Sequence, residues 1–134
     1  MDWPAILCLS GLVVGVLMGA ALVIRPRQSH LSIGLASSPE KSGGVGESRA
    51  FGGMFAGLHG GALALFLAAL NGSAAGAASA AVVALLALGW AGAFLARLLS
   101  VIMDREGLAL NARLLALDAT MAALIVAPVL APFV

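Results

Sequence analysis

Four apolar stretches, each long enough to cross a bilayer, leave this chain few folds to choose from. Spanning the hydrocarbon takes ~20 mostly apolar residues of helix. A backbone placed there must satisfy its own N–H and C=O groups, which a helix does within a single segment. Composition agrees. Of 134 residues, 62% are hydrophobic and 10% charged, with a mean hydropathy of +1.10. A soluble domain of this size needs far more polar surface. The predicted fold is all-α: a membrane-embedded antiparallel four-helix bundle forming one transmembrane domain over residues 1–134.

The first helix is predicted over 4–24, with Pro4 in the first turn, where its missing N–H costs nothing, and Trp3 at an interfacial position. Arg25-Pro26 ends it. A signal peptide opens with positive charge and closes on small residues. This segment opens Met1-Asp2-Trp3-Pro4 and closes on Arg25-Pro26-Arg27, so it is expected to be retained. A loop over 25–46 follows, rich in turn formers, in which Leu31, Ile33 and Leu35 alternate as a short extended piece would. Further helices are predicted over 47–70, 74–103 and 108–130, separated by Asn71-Gly72-Ser73 and Asp104-Arg105-Glu106-Gly107. Breaks this short make neighbours antiparallel.

Lys and Arg favour the cytoplasmic side of a membrane. Arg25, Arg27, Lys41 and Arg49 surround the first loop and Arg105 lies in the third. The second loop and both tails carry none, so the chain is expected in an inner (plasma) membrane with both termini outside, periplasmic in a bacterium. The net charge of +1 and the lack of a basic cluster argue against nucleic acid. Membrane lipid, a membrane-protein partner or a second copy of the chain are the expected partners. Cys8, His30 and His59 are the only soft ligands, so neither a disulfide nor a structural metal site is expected, and no cofactor is.

Lipid tails are as apolar as leucine, so helices in a bilayer associate largely through close packing at small residues. Gly11, Gly15 and Gly19 recur at every fourth position of the first helix, and Gly53, Gly57 and Gly61 do so on the second. Residues four apart share a helix face. Both stripes are therefore expected to face other helices. Gly89 and Ala93 offer the same spacing on the third.

Ionisable groups inside hydrocarbon cost about 2.5–3.5 kcal/mol each at a helix centre and tend to face partners within the bundle. At a rise of ~1.5 Å per residue, His59 lies about 18 Å from Glu47, Asp118 about 15 Å from Leu108 and Arg97 about 10 Å from Asp104. These depths overlap. Arg97 shares a face with Ser100 and Asp104, and Asn111 shares one with Asp118. The expected cluster is an Arg97–Asp118 ion pair supported by Asn111 and His59, with Ser100 beside it and Asp104 as a competing partner for Arg97. It either binds a ligand or proton, or fixes helix register. Glu47, Arg49, Asp104, Arg105 and Glu106 form a solvated cytoplasmic rim, and Arg113 snorkels to the interface.

Catalytic motifs are missing. Leu58-His59-Gly60-Gly61 echoes an esterase oxyanion strip, but no Gly-x-Ser-x-Gly accompanies it. Gly43-Gly44-Val45-Gly46-Glu47-Ser48 lacks the phosphate-loop lysine, and no Cys-x-x-Cys or His-Glu-x-x-His occurs. The first helix has no carboxylate of the kind small multidrug exporters use.

From Glu47 onward the chain resembles the bacterial family named domain of unknown function 4345, whose members are small four-helix membrane proteins. The resemblance rests on Glu47-Ser48-Arg49-Ala50-Phe51-Gly52-Gly53, on Arg97-Leu98-Leu99-Ser100 with Asp104, and on the acidic Asp118, where relatives carry Glu. Glycine often follows the acid in the family, and Arg105-Glu106-Gly107 departs from that. The resemblance implies fold and bacterial membrane location. It implies no activity and transfers no catalytic residue. Labels linking some relatives with phage infection imply an envelope protein.

Three functions remain open. The first is a non-enzymatic structural, accessory or lipid-like-ligand-binding component. The second is a small transporter or proton-coupled carrier using Arg97 and Asp118. The third is an enzyme on a lipid or quinone, with His59 and Asp118 as acid and base. The last two require these side chains to be reachable.

Overall fold

The computed structural model describes residues 2–32, 43–72, 76–103 and 108–130. Among these it is helical apart from short junctions: α1 (Trp3–Ile24), α2 (Pro26–Ser32), α3 (Gly43–Leu70), α4 (Gly76–Met103) and α5 (Leu108–Leu130). Four helices contain segments long and apolar enough to cross a membrane: Trp3–Ile24, Ser48–Leu70, Gly76–Leu99 and Ala112–Leu130. They are apolar on their outer faces too. Leu17, Leu85, Leu88 and Ile102 are all exposed. A helix hydrophobic all round belongs in a core or a membrane, not on a water-facing surface.

Local chemistry sets the boundaries. Asp2 caps α1, its Oδ1 accepting the Ala5 N–H at 3.3 Å. That bond satisfies one of the donors a helix start leaves over. At the other end the expected loop over 25–46 is corrected. The chain turns helical again at Pro26, whose fixed φ suits a first helical residue. The Ser29 N–H donates to Arg25 O at 3.0 Å, and the Ser29 hydroxyl donates to Ala21 O at 3.1 Å across the junction. Leu31 is therefore helical, while Ile33 and Leu35 lie outside the described residues. α3 begins at Gly43, earlier than the predicted 47, and α4 at Gly76, later than 74. α3 ends at Leu70, and the chain turns away at Gly72, whose φ of 78° is left-handed. Only glycine takes that conformation without a β-carbon penalty.

The chain forms two compact units. One comprises Met1–Gly11 with Ala64–Val134, the other Leu12–Leu63. In the first, α4 packs on α5. Ser79, Val83, Ala87 and Trp90 form the buried stripe of α4, and Leu114, Asp118, Met121 and Ile125 that of α5. Spacings of three and four put each set on one face. Gly11 fits against α5, where a β-carbon would lie 2.9 Å from Ile125 Cγ1 and 3.2 Å from Leu124 Cβ.

In the second unit, α1 meets α3 almost backbone to backbone. A β-carbon at Gly19 would lie 2.7 Å from Gly52 O and overlap the Ala56 amide, and one at Gly52 would lie 2.7 Å from Gly19 O. Gly60 follows the same face, with Val16 3.8 Å away from its missing β-carbon. This corrects the expected register of α3. Gly53, Gly57 and Gly61 meet nothing within 4 Å, and the stripe that packs is Gly52, Ala56 and Gly60. The physical reason is the rest of the face. One residue turns a helix by about 100°. Ser48, Gly52, His59, Ala62 and Phe66 are buried on α3. Packing through 53, 57 and 61 would swing His59 away from that contact.

Candidate functional site

Arg97 lies seven residues beyond Trp90 and so continues the buried stripe of α4. Asp118 sits within the buried stripe of α5. The faces that join these helices therefore also bring the two charges together. Arg97 Nε donates to Asp118 Oδ2 at 3.0 Å, with side-chain exposures of 28% and 4%. Of the two acids expected near Arg97, Asp118 is its partner among the described residues. Asp104 lies outside the described residues, as do the side chains of Ser100, Asn111 and Glu47. The carboxylate is sealed while the guanidinium reaches the edge of the helix pair. Removing one member of a buried pair costs about 3–5 kcal/mol, because the other charge is left without compensation.

His59 belongs to the other unit and is 1% exposed. Its Nδ1 lies 2.9 Å from Phe55 O, one turn earlier on α3. A carbonyl only accepts, so this bond places a proton on Nδ1. The imidazole also lies against the Phe55 ring, centroids 4.4 Å apart, and Phe55 in turn stacks on Phe51 at 5.9 Å. On the α1 side the ring occupies the space a β-carbon at Gly15 would need. Gly15 is thus a socket for His59 rather than only a point of backbone approach. The His59 bond to Phe55 O belongs to one unit and the Arg97–Asp118 pair to the other. No group of three His, Cys, Asp or Glu side chains suited to a metal occurs among the described residues.

Several features were not anticipated from sequence. The Ser48 hydroxyl is buried with no hydrogen-bond partner among the described residues. Arg49, expected on a solvated rim, is exposed, yet its Nε donates to Val23 O at 3.3 Å. It thereby ties the start of the apolar part of α3 to the end of α1. An open recess of about 640 Å³ is lined by Arg25, Pro26, Arg27, Gln28 and Arg49. The signal for it was the cluster of arginines, but their convergence depends on the α2 helix. Arg113 is exposed, as a snorkelling side chain is.

No family model, curated protein or solved structure matches this chain.

Proposed function

We propose that the chain is a small multi-pass protein of the bacterial inner (plasma) membrane, folded as an antiparallel four-helix bundle, with a structural, accessory or lipid-like-ligand-binding role and no catalytic one. The observation that carries this reading is the sealing of the polar groups. His59 is 1% exposed, and the Asp118 carboxylate is 4% exposed and engaged by Arg97. A carrier needs a carboxylate that a substrate or proton can reach from water. An enzyme needs its acid or base within hydrogen-bond reach of a substrate. Sealed and internally bonded groups suit neither role and do suit the fixing of helix register. The four apolar segments support membrane insertion. The arginine bias supports cytoplasmic first and third loops with outward termini. The resemblance to domain of unknown function 4345 supports the same location.

Native mass spectrometry of the protein released from mild detergent, beside Asp118→Asn, tests the role. The expected result is no small molecule whose retention depends on Asp118, and a variant that is only less stable. A bound molecule lost in the variant would overturn the structural role of the ion pair.

A further inference from the structure

We infer that the recess formed by Arg25, Arg27, Gln28 and Arg49 holds the phosphate of an anionic phospholipid headgroup, an inference that rests on the membrane reading above. Three cations from two stretches of chain converge on one open recess of about 640 Å³. Arg25 and Arg27 flank Pro26, and Arg49 comes from α3. All three are exposed. Among the described residues no carboxylate lines the recess, and the one ion pair is that of Arg97, elsewhere in the chain. Like charges gathered with no counter-ion among the described residues repel one another. Such an arrangement is stable beside an anion.

The chemistry favours phosphate. Guanidinium presents paired donors that match phosphate oxygens, and it is less strongly hydrated than an ammonium. Arg49 is already oriented, because its Nε is bonded to Val23 O at 3.3 Å. Its two terminal nitrogens have no partner among the described residues and can meet a ligand. Gln28 adds an amide able to bond the polar part of a headgroup.

The position favours a lipid over free phosphate. Arg25 directly follows the apolar segment Trp3–Ile24, and Arg49 is the second residue of the segment Ser48–Leu70. The cations thus sit where hydrocarbon gives way to headgroups, the level at which basic pockets on the cytoplasmic side hold anionic lipids. Ile24, 72% exposed, adjoins Arg25 in sequence, and Phe51, 50% exposed, lies two residues beyond Arg49; both supply apolar surface for acyl chains.

The test is native mass spectrometry of the full-length protein in detergent, titrated with dioleoylphosphatidylglycerol or dioleoylphosphatidylcholine. Arg25→Gln/Arg27→Gln is the site variant. Arg113→Gln, at an exposed arginine in the other unit, is the charge control. Phosphatidylglycerol is expected to be retained at least fivefold more than phosphatidylcholine, with that excess lost in the double variant and kept in Arg113→Gln. Equal retention of the two lipids would overturn the inference, as would an equal loss in Arg113→Gln or an unchanged double variant. Complete displacement of the lipid by millimolar inorganic phosphate would assign the recess to free phosphate and overturn the lipid assignment. Carbonate extraction of cell membranes separates the two readings. Release of the protein would sink the membrane reading itself, whereas a retained protein with flat lipid preference would sink only this site.

Discussion

The two units are held by opposite means. Where α1 meets α3, nothing stands between the backbones at Gly19 and Gly52, and the imidazole of His59 fills the space beside Gly15. Where α4 meets α5, an ion pair crosses the contact, and the two helices bury large side chains such as Trp90, Met121 and Ile125. In the membrane proposed for this chain, helix association would draw on both, since neither would gain much from expelling water. The first contact tolerates no added atom, because a backbone cannot step aside. The second tolerates repacking but not an unpaired charge.

This contrast can be broken deliberately. The largest effect is expected from Asp118→Ala, which strands the Arg97 guanidinium and should lower stability by about 3–5 kcal/mol. Denaturant titration in detergent micelles reads this. Combining it with Arg97→Met should recover much of the loss, and a double variant no better than the single would show that the pair is not what holds α4 to α5. Gly19→Ala comes next. Its β-carbon would meet the Ala56 backbone and Gly52 O, so overpacking should cost about 1–3 kcal/mol, near the upper end. Gly72→Ala should cost about 1–2 kcal/mol, the penalty for a left-handed residue with a β-carbon, and so separates local turn strain from helix packing.

The sharpest comparison has the smallest effect. Gly57 faces open space, so Gly57→Ala should be neutral or stabilise α3 by up to about 1 kcal/mol through helix propensity alone. Gly19→Ala and Gly57→Ala are the same chemical change in similar glycine stripes, yet opposite signs are expected. If Gly57→Ala instead lowers stability together with the oligomeric mass seen by light scattering, the open stripe contacts another helix outside this chain.

Much of this was legible beforehand. Helix positions followed from the length of the apolar runs, and the Arg97–Asp118 pair from depth and rotation, because a straight helix has a fixed rise and turn. The stripe Gly11, Gly15 and Gly19 was identified as a packing face, and each of its members has a close neighbour. The face of α3 that packs within this chain lies one residue from the stripe the sequence points to. The helix carries two small-residue stripes side by side, 52/56/60 and 53/57/61, and glycine content favours the second, which meets nothing within 4 Å among the described residues. In the sequence Pro26 reads as a stop and hides the α2 helix, although proline also suits a start.

By itself the sequence determined what depends on one segment at a time: four long apolar helices, their breaks at Gly72 and Pro26, and which faces carry charge. Only the tertiary structure decided what depends on two. It seated His59 over Gly15, chose Gly52 and Ala56 over Gly53 and Gly57, and drew three arginines around one recess. The reason is rotation about the helix axis. Sequence periodicity sets it only when one face stands out, and a helix apolar all round has to settle it against a neighbour.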